Sequence, residues 1–147
     1  MEIVRVRDEA TLVDWRRVHN EIVPPAALTV DEVRERAERN VLEVAYDDGV
    51  LVGCSTVRPP SEETAAMTVI ARVLPAYRRR GFGELLYQHC LRQARGPVET
   101  HVLASNADGL RFALAHGFVE VERYLLPGDE IPFVELRLDE LDDREAR

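Results

Sequence analysis

The chain reads as an α/β layer protein, a mixed and mostly antiparallel sheet flanked by helices. Three observations predict this. Short runs of β-branched and apolar residues recur at 41–46, 50–57 and 98–104, the length and composition of strands. Between such runs, apolar residues fall three and four apart, as in Leu12, Trp15, Val18 and Ile22, which is helical spacing. Turn residues punctuate the pattern, and Asp47-Asp48-Gly49 between two β-rich runs is a hairpin signal.

The elements follow in order. Ile3, Val4 and Val6 form a first strand, and Asp8 is placed to cap the helix that carries Trp15. Pro24-Pro25 stops that helix, because proline lacks the N–H that a helix interior needs. Thr29 and Glu32 then make a capping box for a second helix through Val33, Arg36 and Ala37. The hairpin 41–57 comes next, followed by the loop Pro59-Pro60-Ser61-Glu62-Glu63 and an apolar run at 65–74. A helix at 81–94, a strand at 98–104, a helix at 106–115 and strands at 118–126 and 133–138 complete the order β-α-α-β-β-β-α-β-α-β-β. Parallel pairing is expected where a helix separates two strands, and hairpins elsewhere. One domain over residues 1–147 is expected, with 142–147 a frayed polar tail or helix end.

Bulk properties narrow the function. A net charge of -8 disfavours a general nucleic-acid or anionic-membrane binder, since both reward a basic surface. The two cysteines, Cys54 and Cys90, lie far apart without metal-ligand spacing, so no zinc site or disulfide framework is expected, and both read as core thiols. Met1 to Arg5 shows no basic-then-apolar leader, and no apolar run approaches the roughly 18 residues of a membrane span. A cytoplasmic location is the expectation.

The most informative stretch is Val73-Leu74-Pro75-Ala76-Tyr77-Arg78-Arg79-Arg80-Gly81-Phe82-Gly83-Glu84, which joins a strand, a basic turn and a helix start. Such a unit suits a diphosphate. The first amides of a helix lack intrahelical acceptors, the helix dipole adds positive charge, and Gly81 and Gly83 let an anion approach the main chain. Three adjacent arginines in an acidic chain strengthen the reading. Neither G-x-G-x-x-G nor the Walker pattern is present there.

The pattern Arg78-x-x-Gly81-x-Gly83 after Val-x-Pro-x-Tyr-Arg resembles the acyl-CoA pyrophosphate signature of the GNAT superfamily. The stretch Asn106-Ala107-Asp108-Gly109-Leu110-Arg111-Phe112-Ala113, ending at His116-Gly117-Phe118, resembles that family's later motif. The resemblance implies a GNAT-type sheet in which two parallel strands splay to hold acyl-CoA. It implies main-chain contacts to the cofactor from Val73 and Leu74, diphosphate contacts at Arg78, Arg79, Arg80, Gly81, Phe82, Gly83 and Glu84, and a cofactor-facing Asn106 and Phe112. Asn106 or Ser105 is in any case placed to cap its helix.

The activity implied is transfer of an acetyl group from acetyl-CoA to a primary amine of a small molecule or peptide, by direct attack and without metal. Two positions depart from the family. Met67 stands where many relatives have Glu, and Ala113 where relatives usually have the Tyr that protonates the leaving thiolate. His101 takes the place of a Glu that other relatives use as base, and alternation puts Glu99 on the same strand face, where it would orient or replace the imidazole. A satisfied structural histidine is the commoner fate of a lone histidine on a strand, and that reading stands beside the catalytic one. Tyr124, Tyr87 or water would serve as acid, and Tyr124 is alternatively a rim aromatic of the acceptor cleft. Acidic residues including Glu21, Glu43, Glu62, Glu63, Asp129 and Glu130 would suit a cationic acceptor. The rival expectation is a non-catalytic acyl-CoA-binding module; a homodimer is left open.

Overall fold

The computed structural model describes residues 1–138; the expected tail at 142–147 lies outside the described residues. Seven strands, β1 (Glu2–Arg5), β2 (Val41–Asp47), β3 (Val50–Arg58), β4 (Met67–Val73), β5 (Val98–Leu103), β6 (Val119–Tyr124) and β7 (Phe133–Leu138), follow the sheet order β1-β2-β3-β4-β5-β7-β6. Four helices join them: α1 (Glu9–Ile22), α2 (Val30–Arg39), α3 (Phe82–Leu91) and α4 (Ala107–Ala115). Element order and class are those expected, with single 3-10 turns added at Pro24–Ala26 and Pro75–Tyr77. The pairs β1–β2, β2–β3, β5–β7 and β6–β7 are antiparallel. The parallel pair β4–β5 is two residues long, Met67 opposite Val98 and Thr68 opposite Glu99.

Contacts divide the chain into two compact units, residues 1–58 with 69–93, and residues 59–68 with 94 onward. In the first, capping decides where helices begin. The Asp8 carboxylate accepts from the Thr11 amide at 2.9 Å, and Glu32 Oε1 accepts from the Thr29 amide at 3.0 Å while Thr29 Oγ1 accepts from the Glu32 amide. Asp48 and Gly49 take left-handed conformations, φ 50° and 79°, as a two-residue hairpin requires.

Alternation along β2 sends Val44 and Ala45 to opposite faces. Val44 packs with Leu12, Trp15, Val18 and Val33 of α1 and α2, while Ala45 packs with Leu86 of α3. A bulge keeps β3 in phase with both layers. Ala45 faces Gly53 and Tyr46 faces Leu51, so Val52 is the extra residue, and its carbonyl accepts the Leu74 amide at 2.9 Å. Gly53 lies so close to β4 that an added Cβ would stand 2.4 Å from the Arg72 carbonyl oxygen. Only glycine fits there.

The helix expected at 81–94 ends at Leu91, because Gln93 bonds to Cys90 in a tighter turn that leads into left-handed Gly96 and Pro97. In the second unit α4 packs on β5, and Val98, Leu103, Ala113, Phe118, Val134 and Leu136 form the buried interior. The strand expected at 118–126 covers only Val119–Tyr124. It is an edge strand with Val121 as an extra residue between Glu120 and Glu122, and its valines are exposed.

Candidate functional site

The basic loop belongs wholly to the first unit. Leu74 is buried, and its amide is tied to β3, which anchors the strand end. After the 3-10 turn, Arg79 and Gly81 adopt left-handed conformations, φ 65° and 86°, and swing the chain into α3. Gly81 is the N-cap and offers no side chain to the first-turn amides, while a Cβ built on it would meet nothing within 4 Å. The approach to that helix end is therefore over bare main chain, which is the geometry a diphosphate needs. Phe82, partly buried, packs against the Ala45, Val52 and Leu86 cluster. Glu84 carries a first-turn negative charge that suits the dipole, and its Oε1 accepts from Gln88 at 3.2 Å.

The arginines divide their roles. Arg78 Nε donates to the Val73 carbonyl at 2.8 Å, so its guanidinium braces the end of β4 against the loop. The Arg80 guanidinium lies over the Tyr77 ring, 5.7 Å from its centroid. Arg79 and Arg80 are exposed.

The second unit brings Glu99, His101 and Tyr124 together. The Tyr124 hydroxyl is 3.0 Å from His101 Nδ1, and His101 Nε2 is 3.6 Å from Glu99 Oε1. Glu99 is buried on β5 and is surrounded by Thr64 Oγ1 at 3.4 Å, Thr68 Oγ1 at 3.2 Å and an Arg137 guanidinium nitrogen at 3.6 Å. A carboxylate cannot donate, so the ring proton belongs on Nε2 facing Glu99, and Nδ1 is left to accept from the Tyr124 O–H. Tyr124 also stacks on Phe133, with ring centroids 5.6 Å apart, which fixes the phenol. The three residues make a line of proton-transfer groups running from a buried carboxylate to a half-buried hydroxyl.

Glu99, His101 and Tyr124 were each expected as candidates and lie together, whereas Thr64, Thr68 and Arg137, which reach Glu99 through strand pairing and loop packing, were not among the expected residues. Glu135 stands opposite His101 on β7. Glu99, His101 and Glu135 each offer a metal-ligand atom within 4.8 Å of one another, yet the Arg137 guanidinium already brings positive charge to Glu99.

Asn106 caps α4, its Oδ1 accepting the Gly109 amide at 3.0 Å, so the capping role is direct. Phe112 packs on His116, ring centroids 4.1 Å apart. Tyr87 is buried, so its phenol is not presented at the surface, and the buried Ala113 carries no proton donor. Glu43, which was expected among exposed acids, is instead 8% exposed, with His89 Nε2 at 3.0 Å and Gln93 Nε2 donating at 2.9 Å. Burial raises the thiols Cys54 and Cys90 to about 12 and about 11, which fits inert core cysteines.

Among the described residues no helix is long and apolar enough to cross a membrane. The chain is 29% identical over 99 residues to an amino-acid acetyltransferase of Shewanella oneidensis; the match covers 63% of this chain but only 22% of that much longer relative. The structure superposes on a ribosomal-protein-alanine N-acetyltransferase from Brucella melitensis with a TM-score of 0.75 at 18% identity, covering 95% of this chain and 99% of that one. It also superposes on yncA from Salmonella typhimurium, solved with its cofactor acetyl-CoA, with a TM-score of 0.73 at 16% identity, covering 94% and 92% of the two chains. Residues 8–118, which contain both the basic loop and the Asn106 to Phe118 segment, match the acetyltransferase (GNAT) family, and the chain belongs to it.

Proposed function

We propose that this chain is an N-acetyltransferase that moves an acetyl group from acetyl-CoA to a primary amine by direct attack. The observation that carries the reading is the glycine-capped start of α3 behind a basic turn, whose main-chain amides and positive charge suit a diphosphate. Acetyl-CoA supplies the activated thioester. The amine must lose a proton as its nitrogen bonds to the acetyl carbon, and the departing thiolate must gain one. On this reading the Tyr124 oxygen takes the amine proton as its own proton passes to Nδ1 of His101, and Glu99 steadies the resulting imidazolium. Water is the proton source for the thiolate, because Ala113 carries no donor.

The test has two parts. Acetyl-CoA at one hundred times its dissociation constant should stabilise the folded chain by about 2.7 kcal/mol, and an amine panel should release CoA thiol. An unmoved melting temperature at millimolar acetyl-CoA would refute the reading. Stabilisation without thiol release from any amine would leave a non-catalytic acyl-CoA-binding module, the reading that Met67 and Ala113 favour.

A further inference from the structure

One sheet face of the second unit gathers more negative charge than it neutralises. Glu99 and His101 stand two apart on β5, and register sets Arg137 opposite Glu99 and Glu135 opposite His101 on β7. Glu122 of β6 faces Glu135 in turn. Arg137 is 3.6 Å from Glu99 Oε2, and Arg123 of β6 is paired to Glu120. The Glu135 carboxylate is half-buried and, among the described residues, makes no hydrogen bond or ion pair. Like charges directly opposite one another destabilise a sheet, and a cation between them removes the cost.

The donor atoms of Glu99, His101 and Glu135 all lie within 4.8 Å of one another. His101 Nε2 and Glu99 Oε1 are 3.6 Å apart, close to the spacing of about 3.3 Å between two ligands that each stand about 2.0 Å from a tetrahedral metal. Arg137 does not close this gap, because it stands at the other oxygen, Oε2. The Thr68 hydroxyl, 3.2 Å from Oε1, orients that oxygen and leaves it a second lone pair. Tyr124 does the same for the ring: with a metal on Nε2, the imidazole proton moves to Nδ1 and is donated to the phenol oxygen 3.0 Å away, so the neutral ring neither gains nor loses a proton. One imidazole with two carboxylates suits a zinc-class ion better than magnesium or calcium, and three protein ligands leave a fourth position for water. The thiols of Cys54 and Cys90 are buried in the first unit and do not compete.

We propose that Glu99, His101 and Glu135 form a binding site for a divalent transition metal of the zinc class, and that the bound ion is an inhibitor. With Nε2 on the metal and Nδ1 protonated, the imidazole has no lone pair left to accept the Tyr124 proton, so a filled site breaks the proton line. The inhibitory role rests on the N-acetyltransferase reading above; the site itself does not.

The test uses the full chain, stripped with a chelator and titrated with Co²⁺ while visible absorption is followed, then with Zn²⁺. One equivalent of Co²⁺ should give the intense bands of a four- or five-coordinate site, and Zn²⁺ should bleach them. Glu135→Gln should weaken both ions by about tenfold or more, since even residues that only orient a ligand cost that much. His101→Ala should do the same, should Glu135→Gln fold poorly by circular dichroism. His89→Ala, which removes the imidazole beside Glu43 in the first unit, should leave the titration unchanged. Absence of the bands at millimolar Co²⁺, wild-type affinity in folded Glu135→Gln, or loss of binding in His89→Ala overturns the site. Turnover decides the inhibition: Zn²⁺ should lower it in the wild type at the concentration that bleaches the cobalt bands, and Glu135→Gln, measured against its own zinc-free rate, should need about tenfold more. Full turnover with the site filled overturns the inhibitory role. Absence of turnover with every amine would instead refute the acyltransferase reading, and the inhibition with it, while the cobalt titration still decides the site.

Discussion

The Tyr124 hydroxyl meets His101 Nδ1 at 3.0 Å, although the two residues are 23 apart in the chain and belong to different strands. On this pairing, His101→Ala should lower turnover by roughly one hundredfold or more, with acetyl-CoA affinity nearly unchanged. Tyr124→Phe should lower turnover without removing the acidic limb of the rate profile, because the imidazole remains. Stopped assays from pH 5 to 9 would show whether the acidic limb of the profile disappears in His101→Ala. Full activity and an unchanged profile would make the imidazole structural.

Gly83→Val should abolish the thermal stabilisation by acetyl-CoA while leaving the far-ultraviolet circular dichroism intact, since a branched side chain in the first turn of α3 would stand in the diphosphate approach. Arg78→Ala should act through two routes, removing a cation from the loop and releasing the Val73 carbonyl. Its titrations should show weaker binding with a shallower salt dependence.

Gly53→Ala should destabilise the first unit by about 1–3 kcal/mol, the usual cost of overpacking. The added methyl would meet main chain, the Arg72 carbonyl at 2.4 Å, and cannot turn aside. Thermal denaturation would check this, and an unchanged melting temperature would mean that β3 and β4 separate more easily than their packing implies.

Burial lowers the folded-state pKa of His19 to about 4 from its ordinary value of 6.5. Between those two values the unfolded chain binds a proton that the folded chain refuses, so stability is full above pH 6.5 and falls as the pH drops toward 4. The loss attributable to this group is about 3 kcal/mol at most. Urea titrations at several pH values should show a shallower decline in His19→Gln than in the wild type.

The features readable from sequence are the local ones. Asp8 with Thr11 and Thr29 with Glu32 settle two helix starts within four residues, Asp48-Gly49 settles a hairpin, and the Arg78 to Gly83 spacing places a basic loop at a helix start because strand, turn and helix are consecutive. The tertiary structure decided what depends on pairing between distant segments. Val52 becomes a bulge only because β2 and β3 must each face two layers, and Gly53 is required only because the Arg72 carbonyl comes so near. Glu43 looks like a surface acid by composition, yet pairing buries it against His89 and Gln93. Periodicity records which face a residue takes on its own element; which other faces it meets is set by register and packing, and those belong to the folded chain as a whole.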